Sequence, residues 1–214
     1  MVEHAKFSSI LAPGNPNEPL AYVGINDGRD SFGLHAAGYF DAALQLLNNI
    51  MANRGKVDLV IYPALYLFRH GVELSLKQLE RYFREMYGSR QRGPKPKEKG
   101  HPLAARWARV KGELQCLIDF AGPSEFPGKI SVAEVDQVIA DLDRIDADGV
   151  TFRYPESLEG KSHLAGVQYI GIPNVLRVVE RTALAFGNWR YHISEQATFA
   201  RREREGRSPS SEGV

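Results

Sequence analysis

Leu67-Phe-Arg-His-Gly-Val-Glu-Leu-Ser-Leu-Lys-Gln-Leu-Glu80 lies inside a run with helical periodicity from about Val57 to Tyr87. At ~100° per residue, Leu65, Phe68, Val72, Leu76, Leu79 and Phe83 fall in one arc, which predicts a helix with a core-facing stripe. The next arc holds Arg69, His70, Glu73, Lys77, Glu80 and Arg84, with Leu67 and Leu74 beyond it. Apolar residues on both borders place this polar stripe in a groove or at an interface, while Gly71, Ser75 and Gln78 read as the solvent face. Pro63 falls near the start of the run, where it can occupy the first turn or kink the helix.

Outward from that helix the chain alternates periodic runs with breaks. Upstream, Ala36, Phe40, Ala43, Leu47 and Ile50 recur at three- and four-residue steps and predict a first helix from about Leu34 to Ile50. Downstream, Leu103, Trp107, Val110, Leu114 and Leu117 predict a third from about Pro102 to Phe120. Ser131 and Glu134 form a capping-box pattern ahead of a fourth, apolar on one side at Val132, Val135, Val138, Ile139 and Leu142 and acidic on the other. Gly149-Val-Thr-Phe-Arg-Tyr-Pro155 reads as an extended segment. Pro173 is placed to open a last helix that runs to about Ala200 on Val175, Val179, Phe186, Trp189 and Ile193.

The expected fold class is therefore all-α, a bundle of about five helices over residues 34–200. An irregular arm rich in turn formers spans 1–33, and a polar, disordered tail spans 201–214. With 27 Lys plus Arg against 26 Asp plus Glu in 214 residues, net charge supplies no field for nucleic acid or membrane, so any such role must be local. The single cysteine, Cys116, forms no intramolecular disulfide. No signal-peptide pattern opens the chain and no apolar run approaches the ~20 residues of a membrane span, which together predict a soluble cytoplasmic protein.

Phe68-Arg69-His70-Gly-Val-Glu73-Leu74-Ser-Leu76-Lys77 resembles the arginine-histidine, glutamate, leucine-lysine helix of HEPN-like bacterial proteins. Gly100-His101-Pro102-Leu103 with Trp107, and Phe152-Arg153-Tyr154-Pro155 after an acidic helix, agree with it in order, over roughly His35 to Gln196. The resemblance implies an all-α bundle that commonly dimerises and that, in many members, cuts RNA without a metal in toxin–antitoxin or phage-defence systems. It implies possible partners too: a second copy, RNA, and an antitoxin or defence component. The family's arginine and histidine, four to six residues apart, have no counterpart within this bundle. Arg29 and His35 are the one pair so spaced, and they lie where the arm meets the start of the first helix.

Metal-free RNA cleavage needs a base, an acid and a cation, for which histidine and arginine are suited. Candidate catalytic residues are Arg69, His70, Glu73, Lys77 and His101, with Glu73 orienting a neighbour. Two plainer readings stay open. Arg69, Glu73 and Lys77 also have the i, i+4 spacing of a structural ion-pair ladder, and His101 suits a helix cap. Arg90, Arg92, Lys95, Lys97 and Lys99, in a Pro- and Gly-containing loop, are candidate phosphate contacts for a non-catalytic module that binds nucleic acid or a partner protein. The acidic side of the fourth helix either meets that loop from another subunit or faces water. No cofactor or metal is expected, because His70 and Glu73 alone make too few ligands.

Overall fold

The computed structural model describes residues 17, 19, 21, 31–87, 103–121, 131–157, 159–164 and 166–206. They form an all-α bundle of five helices: α1 (Ser31–Met51), α2 (Val57–Tyr87), α3 (Leu103–Ala121), α4 (Val132–Asp146) and α5 (Ile172–Gly206). Among the described residues extended pairing is confined to one isolated bridge, Glu156 with Ser162. None of the helices is long and apolar enough to cross a membrane.

α2 is the hub. Its predicted core stripe, Leu65 through Phe83, is buried throughout. The face read as solvent-exposed is buried as well: Gly71, Ser75 and Gln78 lie beneath α1. A Cβ on Gly71 would stand 2.9 Å from the Phe40 ring, so the missing side chain is what lets α1 approach. Ser75 Oγ donates to the Gly71 carbonyl at 2.8 Å, and Gln78 Oε1 accepts from the Gly33 amide at 3.2 Å. That second bond satisfies an amide in the first turn of α1, where no carbonyl precedes it within the helix. Polar character at these positions thus serves a helix contact instead of hydration. Pro63 is the seventh residue of α2, on a part of the helix that faces solvent.

α5 crosses the same core through Val179, Phe186, Trp189, Ile193 and Ala197. Trp189 stacks on Trp107 of α3 with ring centroids 6.1 Å apart. The helix continues to Gly206, so residues 201–206, expected in the tail, are helical. α1 in turn begins at Ser31, inside the stretch expected to be irregular.

α4 is attached differently. Its capping box forms as predicted, with the Glu134 amide donating to Ser131 Oγ at 3.2 Å and the Ser131 amide donating to Glu134 Oε2 at 2.9 Å. Beyond its buried stripe of Val132, Val135, Ile139 and Leu142, its acidic side keeps Glu134 and Asp148 exposed, as a water-facing side would, while Asp136 and Asp143 turn to α3. Asp143 accepts from the Leu103 and Ala104 amides at 3.0 Å each and caps α3 from outside. Asp136 accepts from Trp107 Nε1 and Lys111, and Glu134 pairs with Arg181 of α5. The hydrogen bond from Lys111 holds the Asp136 carboxyl below the usual carboxylate range, aided by Trp107. The Ser131 backbone bond does the same for Glu134, with Arg181 contributing.

The segment 149–155, expected to be extended, is turned. Gly149 adopts φ +73° just past α4, Thr151 N donates to Asp146 Oδ1 at 2.8 Å, and the Arg153 and Tyr154 amides both donate to the Val150 carbonyl. Phe152 is thereby turned into the core. The β-branched and aromatic composition of this stretch was overridden by side-chain bonds at the α4 terminus.

Candidate functional site

The polar stripe of α2 separates into a buried and a half-exposed half. Arg69 and Glu73 are only 3% and 2% exposed, and such burial demands partners. Arg69 Nε donates to the Asp146 carbonyl at 3.0 Å and Nη2 to the Ala147 carbonyl at 3.4 Å, so the guanidinium caps the C-terminus of α4. It also sits at the negative end of that helix dipole. Gly149 makes room for it, since a Cβ there would stand 2.8 Å from Nη1. Asp146 Oδ2 is 3.2 Å from Arg69 Nε, within ion-pair reach, but the Nε hydrogen is aimed at the carbonyl and the carboxylate oxygen takes no hydrogen bond. Glu73 lies 3.6 Å from Arg69 Nη1 and accepts from Lys77 Nζ at 2.7 Å. Arg69 and Lys77 thus balance Asp146 and Glu73 charge for charge, and the ladder spacing in the sequence is realised.

His70 and Lys77 leave the buried half, with side chains 27% and 26% exposed. His70 Nδ1 stands 3.8 Å from Glu73 Oε2, an electrostatic contact beyond hydrogen-bond length. Its ring meets Tyr39 of α1 edge-on at 4.5 Å between centroids and lies nearly parallel to Tyr66 at 5.9 Å. The Arg153 guanidinium covers the Tyr66 ring at 5.9 Å and the Tyr154 ring at 5.5 Å. Arg153 Nε is anchored to the Gly149 carbonyl at 2.8 Å, so the turn that replaced the expected strand fixes this cation. Tyr39, His70, Tyr66, Arg153 and Tyr154 therefore form one continuous aromatic and basic surface drawn from α1, α2 and the α4–α5 connection.

Of the five candidate catalytic residues, the structure brings Arg69, His70, Glu73 and Lys77 together and gives the first and third structural work. His101, and Arg90, Arg92, Lys95, Lys97 and Lys99, lie outside the described residues. Among the described residues no group of three His, Cys, Asp or Glu side chains could hold a metal ion.

No family model, curated protein or solved structure matches this chain. The likeness to HEPN-like proteins therefore rests on its motif residues. Sequence reasoning missed Tyr39 and Tyr66 as neighbours of His70, and missed Asp146 as the partner of Arg69. Arg153 and Tyr154 were visible as a motif, but nothing in the linear order ties them to His70.

Proposed function

We propose that this chain binds single-stranded RNA over the Tyr39, His70, Tyr66, Arg153 and Tyr154 surface, as a HEPN-like bacterial protein of a defence or toxin–antitoxin system. The observation that carries the reading is Arg153 laid across Tyr66 and Tyr154 beside a half-exposed histidine. Unstacked bases are bound on aromatic and guanidinium faces, and phosphates by nearby cations, without requiring base-edge readout. Lys77 supplies a further cation, and the basic run from Arg90 to Lys99 adds sequence-independent, salt-sensitive affinity. Leu184, Tyr191 and Phe199 recur at seven- and eight-residue steps along one exposed side of α5, which supports a homodimeric state.

A second reading, metal-independent endoribonuclease, is favoured by His70 alone among the described residues. In that chemistry the 2′-hydroxyl loses its proton to a base as its oxygen attacks phosphorus, and the 5′-oxygen leaves with a proton from an acid. His70, beside the Glu73 carboxylate, suits one proton step, and Lys77 or Arg153 the developing phosphorane charge. Arg69 is committed to α4 and is assigned no step.

Wild-type protein and His70→Ala, incubated with total RNA and defined tRNA with and without chelator, separate the two. Chelator-resistant cleavage that is lost in the variant establishes the nuclease. Intact RNA that nevertheless co-migrates with wild-type protein leaves the binding module. Neither cleavage nor co-migration refutes both.

A further inference from the structure

α2, α4 and α5 together line a cavity of about 280 Å³. Phe68 lines it from α2, Val135, Val138 and Leu142 from α4, and Val178 and Thr182 from α5. The cavity is half open to solvent, and its volume approaches that of small-molecule sites. Of its polar lining residues, Glu134, Gln137, Asp141, Arg181 and Thr182, only Thr182 is buried. Thr182 is 2% exposed, and its hydroxyl makes no hydrogen bond among the described residues. The ordinary solution for a helical threonine is available elsewhere on α5, where Thr198 Oγ1 donates to the Ser194 carbonyl four residues back at 2.7 Å. Thr182 does not take it. The hydroxyl is thus free to bond to a molecule that fills the cavity, which adds one neutral hydrogen bond to the burial of apolar surface.

The rim shows which charge such a molecule has. Glu134 is paired with Arg181 across the opening, and Asp141 accepts from Arg144 at 3.1 Å. No unmatched carboxylate or guanidinium is left for an ionic head group, and burying a charge against these apolar walls would be unfavourable. We propose that this cavity binds an uncharged, mainly apolar molecule with one hydrogen-bonding group, of the size of a fused aromatic amine or a medium-chain alcohol, held through the Thr182 hydroxyl. The proposal is independent of the RNA-binding surface, which lies on other residues.

The test titrates the full chain with N-phenyl-1-naphthylamine, a neutral apolar amine that fluoresces on leaving water, and then displaces it with 1-decanol. Saturable binding of one probe per chain, displaced by decanol, is expected. Val138→Phe fills the cavity and abolishes it. Thr182→Val keeps the shape and removes the hydroxyl, which weakens binding about fivefold to tenfold, the worth of one neutral hydrogen bond. Absence of saturable binding to wild type, undiminished binding in Val138→Phe, or unchanged affinity in Thr182→Val each overturns the proposal. Circular dichroism confirms folding. If Val138→Phe does not fold, Val178→Phe fills the cavity from the other wall, and if neither folds the isosteric Thr182→Val decides.

Discussion

Along the α1–α2 seam, a bare glycine and a serine let two helices meet closely, and the polar groups there are tied by one bond within α2 and one across to α1. α4 adds to its apolar stripe a set of directional contacts: Arg69 on its C-terminal carbonyls, Asp143 on the start of α3, Asp136 on Trp107 and Lys111, and Glu134 on Arg181. The first interface depends on shape, the second on charge and hydrogen-bond direction. Small-residue seams respond to added volume, whereas capped and ion-paired ones respond to lost partners, pH and salt.

The largest effect is expected at Arg69. Arg69→Ala leaves Asp146 buried without its cation and Glu73 with Lys77 alone, and uncaps α4; losing one partner of a buried pair costs about 3–5 kcal/mol. Urea unfolding should show that loss, and a loss under about 1 kcal/mol would remove the seam from the stability of the bundle. At the shape-dependent interface, Gly71→Val drives a side chain into Phe40 and should cost about 1–3 kcal/mol, as overpacking does. Its control is Gly187→Ala in α5, where a Cβ meets nothing within 4 Å and helix propensity alone predicts a gain of up to about 1 kcal/mol. Equal effects at the two glycines would erase the distinction.

Asp143→Ala should cost about 1 kcal/mol, because two α3 amides lose their cap. The smallest effect is the pH dependence at Asp136. Its carboxyl is held below its ordinary value in the folded state, so its contribution is present above the unfolded-state pKa and is lost as pH falls through the folded one. Asp136→Asn should flatten the acid limb of stability against pH by lowering stability at neutral pH and leaving the acid end little changed. An acid limb as steep as that of wild type would place the acid sensitivity elsewhere.

Period and local chemistry were legible in the sequence. The core stripe of α2, the Ser131–Glu134 capping box and the i, i+4 pairing of Lys77 with Glu73 depend only on neighbours within one helix. Gly71, Ser75 and Gln78 were misread because a period tells which residues share a face and not what covers it. The contacts of Asp136 and Asp143 with α3 were not legible for the same reason. At 149–155, residue preference for extended structure lost to the Asp146–Thr151 bond, which depends on how α4 ends. The stripe itself was legible as polar and enclosed. Its division into a structural half and an open half was not, since that depends on Asp146 and Tyr39 arriving from other helices.

Binding of a fluorescent single-stranded RNA, followed by anisotropy in wild type and Arg153→Glu over a range of salt, tests the proposed surface most directly. Arg153 is exposed and its aromatic neighbours remain in the variant. The expected result is salt-sensitive binding by wild type that falls at least tenfold in the variant with folding unchanged, about 1.4 kcal/mol of contact. Equal binding by both proteins, or none by wild type at low salt, would contradict it.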